Sequence, residues 1–284
     1  MVDEGGSWSS GSHTYADPGT YTIVLTVSDG TGSGSSTVQY VVVSPNTAPT
    51  VTSIAAPSTP RRTGKPVTAL ATFSDPDIGD THTATWEWGD GTTSAGTVSD
   101  VLQTVLGVHA YASAGIYTVK LTITDAAGAS GSRSYQYTVV YDPHAGAVTG
   151  GGWIMSPAGS YAPNPSMARK ATLEVSARYR RRSHTPEGET EFKLTGMDFH
   201  SRSYDWLVVS GTTARIRGAG TINGRGHYEF MVTAIDDRVG HGGVDKFRIR
   251  IWNAAGVVYD NRRDSEGYSE DATVLGGGSI VIHR

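Results

Sequence analysis

The sequence predicts an all-β protein built from β-sandwiches, and three observations support this fold class. Runs of β-branched and aromatic residues end at Gly, Asp, Asn or Ser, as strands do before turns. Helical periodicity is nearly absent, and residues 167–179, which allow a helix, fit a strand equally well. A 96-residue internal repeat joins two of the strand-rich segments. The predicted strands include residues 21–27, 38–43, 117–123, 135–141, 206–209, 247–252 and 279–282.

Composition is that of a chain with real hydrophobic cores. Of 284 residues, 37% are hydrophobic and 18% charged, which excludes a disordered or collagen-like chain despite 36 Gly and 12 Pro. Cysteine is absent, so disulfides, thiolate nucleophiles and cysteine-type zinc sites are excluded. We expect no membrane helix, since no apolar run reaches 18 residues. Residues 1–6 lack the basic and apolar regions of a signal peptide, so we expect any export signal outside this chain.

Charge divides the chain near residue 145. Residues 1–144 carry 5 Lys+Arg against 12 Asp+Glu, whereas residues 145–284 carry 18 against 15. This shift predicts a boundary, and with the repeat it gives three units at residues 1–44, 45–142 and 143–284. The net charge is −4, and nucleic acid is not an expected partner.

The repeat has a physical meaning. The pattern Tyr-Ala-x-x-Gly-x-Tyr occurs at residues 15–21 and 111–117, each time preceded by a histidine and followed by a β run that ends in Asp. It describes an aromatic residue, a tight turn that needs Gly, and an aromatic residue that begins a buried strand. The recurring histidines, His13 and His109, indicate a shared packing or hydrogen-bonding role rather than catalysis.

These motifs resemble the polycystic kidney disease (PKD) repeat family. The resemblance rests on Trp-Glu-Trp-Gly-Asp-Gly at residues 86–91, the His-x-Tyr that follows and the Gly-x-Tyr strand at residues 115–125, and it covers residues 46–141. It implies tandem immunoglobulin-like sandwiches of exported or surface proteins. Residues 1–44 resemble only the second half of a repeat. Residues 143–284 weakly resemble an uncharacterised β domain of bacterial surface proteins, which implies a sandwich or jelly-roll-like domain.

A calcium site is the first candidate for chemistry. Residues 74–80 place three carboxylates in one loop, and Ca²⁺ accepts such irregular oxygen clusters. The PKD resemblance implies Asn46, Asp75, Asp77 and Asp125 as ligands. The alternative is an acidic turn whose Asp side chains cap backbone groups without metal. Asp90 in the Trp-Gly-Asp-Gly hairpin is predicted to be structural.

The C-terminal half offers a second candidate metal site. If their strands are neighbours, His200, His227 and Glu229 would form a two-His-one-carboxylate site for Zn²⁺ or Fe²⁺, and the same residues would hold a hydrolytic water with Asp198 as the base. A second group surrounds a Gly-rich loop and suggests another Ca²⁺ site: Asp236, Asp237, His241 and Asp245. The alternative for both groups is a solvated polar face.

Three further features bear on binding. Tyr161 and Tyr268 lie in predicted loops, where their rings could stack on sugars. Residues 178–182 contain four arginines, a patch suited to an anionic polymer or to solubilising an edge strand. Glycine triplets at residues 150–152 and 276–278 suggest first and last strands that lie side by side.

Together these features predict a non-catalytic module of the cell surface or extracellular space. Calcium-stabilised PKD repeats would act as a spacer, and the C-terminal β domain would bind polysaccharide or a cell-surface protein. Two alternatives stay open. One is a self-assembling surface or fibre subunit that associates through the incomplete first repeat. The other is a metal-dependent hydrolase or oxidase with its site in the C-terminal domain; no catalytic residue is assigned.

Overall fold

The computed structural model describes residues 11–43, 45–77, 79–181, 183–237, 243–263 and 271–283. All regular elements in these ranges are strands, which confirms the all-β prediction. No helix in the described part of the chain has the length and apolar character needed to cross a membrane. The strands are β1 (Gly19–Ser28), β2 (Ser33–Val42), β3 (Thr50–Ala55), β4 (Arg61–Arg62), β5 (Pro66–Ser74), β6 (His82–Glu87), β7 (Thr93–Ala95), β8 (Thr97–Ser99), β9 (Thr104–Ala110), β10 (Gly115–Asp125), β11 (Ser130–Tyr141), β12 (Ala147–Ser156), β13 (Arg169–Tyr179), β14 (Pro186–Leu194), β15 (Met197–Ser210), β16 (Thr213–Ile222), β17 (Arg225–Ile235), β18 (Lys246–Asn253), β19 (Gly256–Asp260), β20 (Thr273–Val274) and β21 (Gly277–His283).

Strands β3 to β11 form a two-sheet sandwich, called here the middle sandwich. One sheet has the order β3-β5-β9-β8 and the other β4-β11-β10-β6-β7. In β5, inward residues alternate with outward ones, as expected of a strand with one face on a core. Trp86 and Trp88 lie fully buried between the sheets with stacked rings 5.5 Å apart. Gly107 allows this packing because a Cβ there would lie 2.5 Å from the Trp86 indole nitrogen.

Strands β1 and β2 form an antiparallel hairpin that repeats the β10–β11 hairpin. The histidine and tyrosine rings meet edge to face in both copies, with centroids 4.6 Å apart for His13 and Tyr15 and 4.5 Å apart for His109 and Tyr111. The sequence repeat is therefore also a repeat of ring contacts, as the packing role predicted for the histidines requires.

A hydroxyl contact recurs in the same way. The tyrosine that begins each hairpin donates its hydroxyl to the carbonyl oxygen four residues earlier, at 2.8 Å from Tyr21 to Asp17 and 2.9 Å from Tyr117 to Ser113. The intervening Gly lies against the tyrosine ring, and a Cβ at Gly115 would come within 2.6 Å of it. This close approach explains why the motif requires glycine.

The C-terminal strands form one long antiparallel sheet, called here the C-terminal sheet. Its order is β19-β18-β17-β16-β15-β14-β13-β12-β21, and β20 pairs with β18. Strands β12 to β19 follow one another as a meander, an order that the sequence pattern did not reveal. Their inward side chains share a single core, to which every strand from β12 to β19 contributes, so the sheet curls around that core.

The last segment closes this curl. It pairs with β18 through β20 and then with β12 through β21. Gly152 lies opposite Gly278 in the β12–β21 pair, and a Cβ at either position would collide with the backbone of the other strand. The predicted adjacency of the two glycine triplets is confirmed. Of residues 167–179, where the pattern allowed a helix or a strand, Arg169–Tyr179 form strand β13.

Candidate functional site

Three carboxylates meet at one end of the middle sandwich. An oxygen from each of Asp75, Asp80 and Asp125 lies within 4.8 Å of the other two. Asp75 and Asp80 come from the loop between β5 and β6, and Asp125 ends β10. Three like charges this close repel one another unless a cation or proton offsets them. Asp80 belongs to the acidic loop seen in the sequence but not to the four predicted ligands.

The other predicted ligands border this group, called here the acidic cluster. Asn46 Nδ2 donates to Asp125 Oδ2 at 2.9 Å, and this hydrogen bond is the main reason why the pKa of Asp125 is lowered. Asp77 Oδ2 accepts the Thr47 backbone N–H at 2.6 Å, while the Asp77 N–H donates to Asp75 Oδ1 at 2.8 Å. The structure thus brings Asn46, Asp75 and Asp125 together, whereas the Asp77 carboxylate binds the backbone at Thr47, just before β3.

His82 is a neighbour of the acidic cluster that sequence reasoning missed. Its Nε2 lies 2.9 Å from Asp75 Oδ2 and its Nδ1 lies 2.9 Å from Asp100 Oδ1. Burial disfavours the charged imidazole, but the hydrogen bonds to the two carboxylates outweigh burial and raise the pKa of His82. The position after an acidic loop, at the first residue of β6, was the available signal.

The donor set of the acidic cluster fits Ca²⁺ better than a transition metal. Three carboxylates and one side-chain amide on loops offer hard oxygen ligands in irregular geometry. The imidazole of His82 is already shared by two carboxylates, so it is not an available nitrogen ligand. A bound Ca²⁺ would supply the positive charge that the clustered carboxylates need.

Asp90 and His109 form a second pair on the middle sandwich. Asp90 Oδ2 and His109 Nε2 are 2.7 Å apart, and Asp90 Oδ1 accepts the Thr92 backbone N–H at 3.0 Å. The imidazole ring stacks on Trp88 with centroids 5.0 Å apart. These contacts fix the turn and the aromatic core, as predicted for a structural role of both residues.

On the C-terminal sheet, His200 belongs to a network of ionic contacts. Its Nε2 lies 2.9 Å from Asp198 Oδ1 and its Nδ1 lies 3.2 Å from Glu191 Oε1. Glu189, Glu191 and His200 each bring one ligand-type atom within 4.8 Å of the others. However, Lys193 Nζ contacts Glu191 Oε2 at 2.8 Å, and this hydrogen bond is the main reason why the pKa of Glu191 is lowered. The lysine ammonium already supplies a cation here.

His227 and Glu229 lie apart from that network. Both are on β17, and β16 separates β17 from β15, which carries Asp198 and His200. Glu229 Oε2 accepts from Arg217 Nη2 at 2.6 Å. Within the described ranges, no group of three metal-ligand side chains within 4.8 Å combines His200 with His227 or Glu229. The structure therefore does not assemble the predicted Zn²⁺ or Fe²⁺ set.

The acidic residues near the β17–β18 connection bind backbone instead. Asp236 and Asp245 are buried, and their carboxylates accept the backbone N–H groups of Ile282 at 3.1 Å and Ile280 at 2.9 Å. Asp237 Oδ2 lies 2.9 Å from Lys246 Nζ. These carboxylates fasten β21 to the opposite side of the curled sheet. His241, the fourth residue of the predicted second calcium site, lies outside the described residues.

The two tyrosines proposed for sugar stacking have different outcomes. Tyr161 is half-buried, packs against the C-terminal core and forms a β-bridge with Tyr259. Its ring is thus largely committed to the core. Tyr268 lies outside the described residues.

The sequence matches the family model of the PKD domain over residues 4–43 and 46–140. The match covers these two segments and not residues 141–284. No curated protein matches the chain. The middle sandwich, residues 46–140, is called the PKD domain below.

Several solved structures are similar to the chain. The PKD1 domain of Epp from Vibrio anguillarum is 28% identical, with 34% of this chain and 99% of that one covered and a TM-score of 0.25. The PKD domain of an M14-like peptidase from a Thermoplasmatales archaeon is 23% identical, with coverages of 33% and 99% and a TM-score of 0.26. A carbohydrate-binding module of the β-sandwich superfamily, described as promiscuous in specificity, is 15% identical, with coverages of 84% and 97% and a TM-score of 0.31. All three TM-scores lie below 0.5, so the assignment rests on the sequence match.

An apolar junction joins the PKD domain to the C-terminal sheet. Tyr141 stacks on Tyr179 with centroids 5.2 Å apart, and its hydroxyl lies 3.0 Å from His184 Nδ1. Since an apolar interface restricts the relative motion of two units, the junction favours a fixed orientation. Its buried members are Ala114, Val139 and Tyr141 on the PKD side and Trp206, Val208 and Met231 on the C-terminal side.

A polar groove crosses the outer face of β12, β13 and β14. The register aligns Gly151, Glu174, Glu191 and His200 in one row across four strands. Because Gly151 has no side chain, the row opens into a groove of about 360 Å³, which Lys193 also lines. This space, called here the glycine groove, presents carboxylates and an ammonium above bare backbone.

Proposed function

We propose that this chain is a non-catalytic module of an exported or cell-surface protein. In this proposal a calcium-stabilised PKD domain acts as a spacer and presents a C-terminal domain, residues 143–284, that binds polysaccharide. The observation that carries the proposal is the apolar junction, because a spacer must hold its binding unit in a fixed direction. PKD sequence over residues 4–140 supports the surface location, since such repeats belong to exported and surface proteins.

The glycine groove supports polysaccharide as the ligand. Carboxylates accept hydrogen bonds from sugar hydroxyls and an ammonium donates to them, so the groove offers both partners within one row. The exposed backbone at Gly151 lets a flat sugar ring approach the sheet closely. Trp153, next along β12, packs on Gly276 and Gly277 and has the Lys170 ammonium 4.6 Å from its ring centroid. Binding would therefore rest on hydrogen bonds more than on stacking.

Filling the glycine groove tests this assignment. A Cβ at Gly151 would meet Glu174 Cγ at 3.4 Å and Leu173 O at 3.5 Å, so Gly151→Val is tolerated by the strand but occupies the groove. We expect the variant to lose retention by xyloglucan or xylan in affinity gel electrophoresis. Met155→Val, at an exposed site on the same strand, is the matched control. Equal retention of Gly151→Val, or no retention of the parent protein, would contradict binding of these polysaccharides in the glycine groove.

Calcium is proposed as the stabilising ion of the PKD domain. The donors are Asp75, Asp80, Asp125 and Asn46, with Asp77 fastening the neighbouring chain. We expect Ca²⁺ added to EDTA-treated protein to raise the melting temperature, and Asp125→Asn to remove that rise. Asp29→Asn changes the equivalent residue of the first repeat, which binds only its own turn, and should leave the rise intact. A shift that survives Asp125→Asn would refute the site.

Self-association through the first repeat is a second proposal, with its own observation. Ile23, Leu25 and Val27 are 42%, 65% and 64% exposed, whereas their counterparts at 119, 121 and 123 in the PKD domain are fully buried. Burying each such side chain contributes about 1.5–3 kcal/mol, so this exposed apolar face favours association with another apolar surface. The same face of a second copy of the hairpin would supply that surface. Oligomers detected by light scattering should disappear with Leu25→Ser/Val27→Ser; a monomeric parent protein at high concentration would exclude this proposal.

A further inference from the structure

A basic cleft lies where the PKD domain meets the C-terminal sheet. Its volume is about 560 Å³, within the range of small-ligand sites. The PKD side contributes Arg62, at the end of β4, and the C-terminal side contributes the segment that follows β13. Five of the eight lining residues are basic side chains: Arg62, His144, Arg180, Arg181 and His184.

Much of this positive charge has no acidic partner. The guanidinium groups of Arg62 and Arg181 make no ion pair or side-chain hydrogen bond among the residues that the structure describes. Arg180 pairs through Nε with Glu187, which also accepts from Arg178 Nε at 3.1 Å. Hydrogen bonding to Arg180 is the main reason why the pKa of Glu187 is lowered. One carboxylate therefore serves two arginines, and two more arginines remain uncompensated.

The floor of the cleft is rigid. The Tyr179 hydroxyl donates to the Leu207 carbonyl oxygen and accepts the Leu207 N–H, both at 3.1 Å. Its ring stacks on Tyr141, whose hydroxyl contacts His184 Nδ1. Because these residues belong to the apolar junction, the arginines on either side stand on a common, preorganised support.

We propose that this cleft binds the carboxylate or sulfate groups of an acidic polysaccharide. The planar guanidinium fork pairs with either group through two parallel hydrogen bonds. The inference rests on the proposed function in so far as the ligand is a polysaccharide, but it uses residues outside the glycine groove. It names the ligand class of the C-terminal domain as a glycan that bears acidic substituents.

A polar hollow lies between the glycine groove and the basic cleft. A hollow of about 500 Å³ on the outer face of β12 to β14 is lined by Thr149, Ser176, Arg178 and Glu187. Glu187 also holds Arg180, which lines the cleft, so hollow and cleft adjoin. Sugar hydroxyls meet polar side chains along this path, and acidic substituents meet arginines at its end.

Nucleic acid suits the cleft less well. A duplex carries a phosphate charge about every 1.7 Å, so affinity needs a long basic track. Here the positive charge is confined to one cleft beside a PKD half in which 12 acidic residues outnumber 5 basic ones. A polyphosphate that ran beyond the cleft would meet this acidic surface, whereas a polysaccharide can bear its charges at intervals.

The test is calorimetric titration of the full chain with four probes. Polygalacturonate carries carboxylates, dextran sulfate carries sulfates, xyloglucan is neutral, and a single-stranded oligonucleotide carries phosphates. Arg62→Ala/Arg181→Ala should weaken binding of the acidic polysaccharide by about tenfold or more, with an unchanged melting temperature. Arg61→Ala/Arg225→Ala, which removes the same charge at two exposed positions outside the cleft, should not weaken it. Glu187→Gln should strengthen it, because Arg178 and Arg180 are released.

Each outcome decides the proposal. Binding of one acidic polysaccharide or both supports it and identifies the substituent, and added NaCl should weaken that binding. No binding of either, an equal loss in the control variant, or tighter binding of the oligonucleotide through the same arginines would overturn it. Neutral xyloglucan separates the two sites: if it binds and depends on Gly151 while the acidic probes fail, only this inference fails. If it does not bind but the acidic probes do, only the glycine groove fails.

Discussion

Replacing Asp245 by alanine should release the last strand of the C-terminal sheet. Asp245 is fully buried, and its two carboxylate oxygens accept the backbone N–H groups of Ile280 at 2.9 Å and Asp237 at 3.2 Å. The Ile280 contact joins the end of the β17–β18 connection to β21 across the curled sheet. In Asp245→Ala the buried Ile280 N–H and the partly buried Asp237 N–H both lose this acceptor.

The magnitude follows from the number of orphaned groups. A buried donor left without its acceptor costs about 1–3 kcal/mol, so the Ile280 amide alone predicts a loss of that size in the free energy of unfolding, and the partly buried Asp237 amide adds less because water can reach it. Asp245→Asn keeps one acceptor oxygen and should lose about half as much. Since domains are stable by only about 5–15 kcal/mol, the alanine variant should be clearly destabilised.

Hydrogen exchange of residues 277–283, followed by mass spectrometry, gives the local measurement, and urea unfolding gives the global one. Exchange in β21 should accelerate in Asp245→Ala while the PKD domain stays protected. Val281→Ala, at a 41% exposed position on the same strand, is the control and should change neither quantity by much. Unchanged protection of β21 in Asp245→Ala would refute the clamp. A loss seen only when Ca²⁺ is present would instead support the metal site considered for these carboxylates.

Three further predictions concern single contacts. The hydrogen bonds from Thr92 and His109 outweigh burial and lower the pKa of Asp90. Its contribution to stability is therefore present above its ordinary pKa of 3.8 and disappears as the pH falls through the folded value. In thermal melts, Asp90→Asn should lose less stability relative to the parent protein at acid pH than at neutral pH. Gly107→Ala forces a Cβ against an indole and should destabilise the PKD domain by about 1–3 kcal/mol in urea unfolding, whereas Gly32→Ala, in open space, should not. Arg248 makes two 3.0 Å contacts with the buried Asp260 carboxylate, so Arg248→Met should cost about 3–5 kcal/mol in the same assay.

The sequence predicted the features that depend on local pattern. The repeated histidine and tyrosine positions required equivalent contacts, and both copies make them. The glycine triplets required two strands in close approach, and Gly152 lies opposite Gly278. In these cases the residue type itself limits what its neighbours can be.

The candidate sites were harder to predict because they depend on which strands become neighbours. His200 and Glu229 each have alternating neighbours of the right kind, but β16 lies between their strands. Lys193 provides the charge that offsets Glu191, two residues earlier on the same face of β14, but only the pairing of β14 with β15 brings His200 to Glu191. The sequence suggested Asp245 as a metal ligand because it does not distinguish a carboxylate that accepts from backbone amides from one that binds a metal.

Strand β15 contributes to the C-terminal core with one face and to the apolar junction with the other. Two register shifts in β15, between residues 201 and 203 and between residues 204 and 206, interrupt its alternation. The first brings Tyr204 into the core and the second restores the original alternation, so Leu207 packs inside the C-terminal sheet while Trp206 and Val208 face outward and meet the PKD domain. Without the shifts, strict alternation from Phe199 would have carried Val209 inward but left Tyr204 outside. The same strand therefore serves both the core and the contact with the PKD domain, and the part that the sequence could not reveal is Tyr204, whose inward position depends on the bulges.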